Sequence, residues 1–328
     1  MAKKATKKVE KKVVKKDVKK VEPKKIETKK IEQKPVEPKK VQKKEVKNDK
    51  TFGAIILSIL ILIVSQIASE LVASIFHFIK VPEFICNAIA GILYILFAYI
   101  LIKKMCSKYL KAKLEDYYIP KFKLHWHWIV VGFFLPLSVI ATYQVLFKGT
   151  YVLLTFNTLK KLSIITTAIF FIGFGAGIVE EMVFRGIIMN ALDKRFNKAV
   201  AIILPSVLFG FIHIIGAHYN FLSSLLVVIA GTIVGIMFSL IAQVSKSIWD
   251  SAIVHAIWNI FTTSGLFYIS NAAVDDTLIN FVIKNKSFIV TGGEFGIEAS
   301  LISVIWYLII SVITFAYIKD QLIKKQIN

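Results

Sequence analysis

The chain is expected to be all-α: a polytopic membrane domain of about eight transmembrane helices in a bundle, preceded by a disordered Lys-rich tail. Apolar residues make up 56% of its 328 positions, far more than a soluble core of this size uses. Runs approaching the roughly 20 apolar residues that a spanning helix needs recur along the chain. Charge collects at one end, because residues 1–50 hold 21 of the 42 Lys and Arg but only 8 of the 21 Asp and Glu.

The amino-terminal segment repeats Lys-Lys between Val, Ile, Glu and Pro, as in Val21-Glu22-Pro23-Lys24-Lys25 and Val36-Glu37-Pro38-Lys39-Lys40, and has no aromatic residues. Such a segment buries too little apolar surface to offset the entropy of ordering. Residues 1–50 are therefore expected to be a solvated tail that helps fix topology. Adhesion to anionic lipid headgroups is its alternative use, and nucleic acid is not the expected partner. The short apolar core of a signal peptide is missing. Cys86 and Cys106 stand toward opposite ends of one expected span, so neither a disulfide framework nor a Cys-based metal site follows.

Cutting the apolar runs at charged and Pro-containing segments gives spans at about 52–78, 83–102, 126–147, 163–192, 199–217, 221–243, 248–270 and 299–318. These make a membrane domain over 51–320, followed by a short basic tail at 321–328. Basic connections recur at Lys103 to Lys123, at Lys194, Arg195 and Lys198, at Lys246, and at Lys319 to Lys325. The intervening connections are poorer in positive charge, and 271–298 carries Asp275, Asp276, Glu294 and Glu298. Both termini are thus expected to be cytoplasmic. The Lys-, Ile- and Asn-rich usage further points to a bacterial plasma membrane. Gly173 with Gly177, and Gly231 with Gly235, provide small-residue faces for close helix contact.

Glu180, Glu181 and Arg185 break the apolar run of the fourth span, where a bilayer penalises every ion. Acids at membrane depth usually pair internally or line a water-filled cavity, which makes this cluster the first candidate site. Counting about 1.5 Å per residue from the nearest basic connection puts Glu180, His213 and Asn259 near 20 Å depth. Arg185 and His255 come out near 13 Å, about 7 Å closer to the cytoplasm. Glu181 and Arg185 are four apart and share a helix face, so an ion pair is expected; Glu180 points about 100° away, toward water. His255 and Asn259 are also four apart. Ser247 and Asp250 read as a capping box. His77, His125, His127 and His218 lie near expected membrane edges, and Glu70 falls where outer headgroups or the cavity would meet it.

Glu180-Glu181-Met182-Val183-Phe184-Arg185 resembles the Glu-Glu-x-x-x-Arg motif of the CAAX protease and bacteriocin-processing (CPBP) family. Phe209 to His213 is similar to that family's Phe-x-x-x-His, and His255 to Asn259 to its His-x-x-x-Asn, in the same order and each on its own expected helix. The motif-bearing core is about 163–265. The resemblance implies an intramembrane endopeptidase acting on membrane-embedded or lipid-anchored proteins or peptides. Glu180 would activate water, His213, His255 and Asn259 would complete the site, and Glu181 and Arg185 belong to the same motif.

A desolvated carboxylate can serve as general base, and an amide or imidazole can stabilise an oxyanion. Two histidines and a carboxylate, His213, His255 and Glu180, also suit a divalent metal such as zinc. The sequence leaves metal-dependent and metal-free chemistry open, because the His-Glu-x-x-His signature is absent. Two other classes stay open: a proton-coupled transporter, which also places acids and His at mid-membrane, and a non-catalytic immunity or regulatory protein. Gly-x-Ser-Gly and Gly-x-Gly-Asp segments of other intramembrane proteases are not found.

Overall fold

A computed structural model describes residues 50–327. The tail expected over 1–50 lies, but for Lys50, outside them. Among the described residues, six helices are long and apolar enough to cross a membrane: α1 (Thr51–Phe78), α2 (Glu83–Leu110), α3 (Trp126–Leu146), α4 (Thr158–Arg195), α6 (Phe221–Ser245) and α8, whose apolar part is Leu301–Gln321 within Leu301–Ile327. Two shorter helices stand between them in the chain, α5 (Lys198–Ile212) and α7 (Ile248–Thr262).

The expectation of eight spans is corrected on these two. Each has 15 residues, which at 1.5 Å per residue is about 22 Å, short of the roughly 30 Å hydrocarbon layer. The apolar runs do continue to 217 and 270, but the backbone turns out of the helix. After α5 it passes through Gly216 at φ +77°, and after α7 through Gly265 at φ +78°, conformations that side chains with a Cβ rarely adopt.

The all-α expectation is corrected as well. Phe267–Ser270 forms a strand, β2, which pairs in parallel with β3 (Ile279–Ile283), and β3 pairs antiparallel with β1 (Gly149–Leu153). The order is β1-β3-β2, with Gly149 opposite Ile283 and Phe267 opposite Ile279. Alternating Tyr151, Ile269, Phe281 and Ile283 give these short segments the β-branched and aromatic content that suits a pleated surface.

Helix starts follow local chemistry. Asn157, Asn197 and Asn220 each accept from the backbone N–H three residues on, and Ser247 accepts from Trp249 N–H at 3.1 Å. The capping box expected there is half formed, since Asp250 turns instead to His125. Its carboxylate is 2.8 Å from His125 Nδ1 and accepts from His125 N–H at 3.0 Å, tying the start of α3 to the start of α7.

Helix α4 is the centre. Every residue from 181 to 192 is buried, so this stretch is apolar on all sides except for the charged pair it carries. Thr167–Ala176 and Met182–Ile188 are wound as π-helix, which places more residues in each turn than an α-helix does. Helices α2, α6 and α7 close around it. Glycine permits the approach: a Cβ on Gly91 in α2 would stand 2.1 Å from Phe170 O, and one on Gly177 would stand 2.9 Å from Ala256 N.

Candidate active site

Helix α4 sends its two adjacent glutamates to different places. Glu181 is wholly buried, and its Oε1 accepts from Arg185 Nη1 at 2.7 Å. The second arm of Arg185 donates to Gly235 O in α6 at 3.0 Å, and its guanidinium lies 4.6 Å from the centre of the Phe209 ring and 5.2 Å from that of Phe238. Two acceptors and two aromatic faces compensate a cation that would otherwise be prohibitive at this depth. Glu181 Oε2 and Arg185 Nε remain without hydrogen-bond partners.

Glu180 keeps 16% of its side chain accessible. Its Oε2 is 3.7 Å from His255 Nε2, while His255 Nδ1 is 3.1 Å from Glu181 Oε1. The imidazole therefore stands between the two carboxylates, with its ring stacked on Phe238 at 4.5 Å and 18°. This contact corrects the depth reading, in which His255 lay about 7 Å nearer the cytoplasm than Glu180. The π-helical turns of α4 shorten the distance from Glu180 to Lys194, and the count from lysines assumed markers at one level.

His213 sits just past the end of α5 with Nδ1 2.6 Å from Phe209 O. A carbonyl only accepts, so Nδ1 carries the hydrogen and Nε2 is left as the acceptor of the neutral ring. Asn259 donates from Nδ2 to Ile172 O at 3.1 Å, which leaves its second N–H and its Oδ1 uncommitted to that bond. All six candidate residues thus fall in one neighbourhood: Glu180, Glu181, Arg185 and His255 by direct contact, His213 and Asn259 through a shared cavity.

That cavity has a volume of about 40 Å³ and is lined by His213, His255, Asn259, Phe209, Phe238 and Glu298, among others. A water needs roughly 10–15 Å³ of such space and several polar partners, both met here. On the other side of His213 a larger cavity of about 350 Å³ reaches Glu180. Its walls are mostly apolar, with Ile59, Leu62 and Ile63 from α1 and Ile212 and Ile215 from the α5 end, and Gln66 is the polar residue nearest its α1 side. His213 lines both spaces.

Two of these residues escaped the sequence. Glu298 was grouped with the acids of an outer connection, but it faces the small cavity and burial pushes its carboxyl up to about 7, against the opposing hydrogen bond from the Thr263 hydroxyl. Its flanks, Ile297 and Ala299, are both buried and were the available signal. Gln66 donates to Glu70 at 3.1 Å and also lines the Glu180 cavity.

Among the described residues no three His, Cys, Asp or Glu side chains stand together as a metal site. His213, His255 and Glu180 are not brought together as such a group, although the Nδ1 contacts of the two histidines, to Phe209 O and Glu181 Oε1, leave both Nε2 atoms outside those bonds. The chemistry that the arrangement itself provides is acid–base: a partly accessible carboxylate, two imidazoles and an amide around room for water.

Comparison with curated proteins gives no match. A family model does match, over residues 161–261, and this stretch runs from α4 to the end of α7 and contains all three motifs. Its description is Type II CAAX prenyl endopeptidase Rce1-like, so residues 161–261 are similar to that family of proteases, and they lie among helices long and apolar enough to cross a membrane.

Proposed function

We propose that this protein is an intramembrane endopeptidase in which Glu180 activates the attacking water. The observation that carries the reading is the division of labour between neighbouring carboxylates: Glu181 is locked to Arg185, whereas Glu180 reaches a cavity and stands beside His255. A base must have access to water and a group to share protons with, and only Glu180 of the pair has both.

In the proposed reaction, Glu180 takes a proton from water as the water oxygen attacks the scissile carbonyl. His213 Nε2, an acceptor in the tautomer set by Phe209 O, orients the second water hydrogen. The remaining N–H of Asn259 donates to the oxyanion of the tetrahedral intermediate. Collapse breaks the C–N bond, and the proton held by Glu180 passes to the leaving amine. His255, clamped by Glu181 and Phe238, keeps Glu180 in place and balances its charge. No step runs through a metal.

The mostly apolar cavity between α1 and the end of α5 supports a substrate that arrives from the bilayer, membrane-embedded or lipid-anchored, as the family's prenylated substrates are. The distribution of Lys supports a cytoplasmic position for both termini. The test is cleavage of a membrane-anchored peptide library by the purified protein. Glu180→Gln is expected to keep helical content and lose cleavage by at least about 100-fold, the scale of general-base loss. Unchanged cleavage would remove Glu180 from the mechanism.

A further inference from the structure

A further space lies away from the Glu180 cluster. It is a groove of about 500 Å³ between α5, α6 and α8, within the roughly 300–1,000 Å³ typical of small-molecule sites. Its walls are aliphatic and aromatic, with Ile202 from α5, Leu240 and Val244 from α6, and Phe315 and Ile318 from α8. Phe315 and Tyr317 are exposed on the outer surface of α8, so the apolar wall continues into the surface that a bilayer covers.

The groove also has a charged end, where Lys198 and Lys246 contribute to its lining. The Lys246 ammonium donates to Tyr118 Oη at 2.8 Å and Gln243 Oε1 at 3.1 Å, which uses two of its three hydrogens and gives it no carboxylate. Burial pushes this ammonium down from its usual range, and the field of Asp193 opposes that only in part. Lys198 forms no ion pair among the described residues. A helix dipole accounts for a cation at Lys246, just past the end of α6, but not for Lys198, which occupies the first turn of α5, where the dipole disfavours a cation. One anion near both ammoniums would relieve the two together.

We propose that this groove binds an anionic glycerophospholipid, its phosphate at Lys198 and Lys246 and an acyl chain along Ile202, Val244 and Phe315. Paired lysines at the mouth of an apolar inter-helix groove match the two halves of such a lipid, and basic pockets between membrane helices favour anionic headgroups. The site is separate from Glu180 and stands whether or not the protein is a protease.

Native mass spectrometry of the full chain in neutral detergent provides the test, with phosphatidylglycerol, phosphatidylcholine of the same acyl chains, and inorganic phosphate as probes. Phosphatidylglycerol is expected to bind roughly 30-fold more tightly than phosphatidylcholine, two lysines near a surface each contributing the usual attraction. Lys198→Gln with Lys246→Gln should bring it close to the phosphatidylcholine level. Val244→Trp, which fills the groove and keeps both lysines, should expel the lipid, and it decides alone if the double variant loses its helical signal. Equal retention of the two lipids, indifference to these variants, or displacement by millimolar phosphate would overturn the proposal.

Discussion

At the scale of single residues, the site depends on charges that are affordable only in company. Arg185 is held by Glu181, Gly235 O and two aromatic faces, so removing one partner leaves an uncompensated ion. Arg185→Met is expected to cost about 3–5 kcal/mol, and Glu181→Gln with Arg185→Met less than the first change alone, measured by unfolding in mixed detergent. Additive losses would show that the two do not act as a pair. Glu298 obeys a different rule. Its folded pKa of about 7 lies above the 4.5 of an exposed carboxyl, so the folded chain binds the proton more tightly than the unfolded chain. Its contribution to stability is then greatest below pH 4.5 and is lost as pH rises to about 7, a loss of about 3 kcal/mol. Unfolding measured from pH 4.5 to 8 should show that decline in the natural protein, and Glu298→Gln should flatten it. A slope unchanged by the substitution would place the titration elsewhere.

At the scale of elements, glycines set how closely the helices meet. A Cβ on Gly231 of α6 would stand 2.7 Å from the Cα of Gly210 in α5, backbone against backbone, so neither side can yield by turning a side chain. Gly231→Val should therefore separate α5 from α6 and cost about 1–3 kcal/mol, as overpacking does. It should also lower any Glu180-dependent cleavage, because α5 carries His213. A variant as stable as the parent would mean that these helices can slide. The glycine pairs were legible from spacing alone, as were the three charged and polar motifs and all six long helices, since each leaves a periodic or continuous trace in the chain. The short helices were not. An apolar run reads the same whether it continues as helix or bends into a turn and strand, so 262–270 and 212–217 were assigned to spans that end sooner. Pairing such as Gly149 with Ile283 joins residues far apart in sequence, which no local pattern records.

For the whole molecule, the proposed reaction raises the question of how a substrate held in the bilayer would reach the partly accessible carboxylate of Glu180. The polar layer was visible in the sequence as acids, imidazoles and an amide on separate helices, but the cavity beside it was not, because it lies between α1 and the end of α5 and belongs to neither. Ile59, Leu62 and Ile63 present an apolar flank to that cavity, and Glu180 with His213 lies at its inner end. A bulky residue at the rim should obstruct a membrane-anchored substrate more than a short soluble peptide, which can approach by other paths. Ile63 suits the test, being 45% exposed and so able to change size without disturbing the core. Ile63→Trp is expected to lower kcat/KM for the anchored substrate by roughly tenfold, chiefly through KM, with little change in the unfolding midpoint. An equal loss for both substrates would point to altered chemistry at Glu180, and no loss for either would move the entrance away from α1.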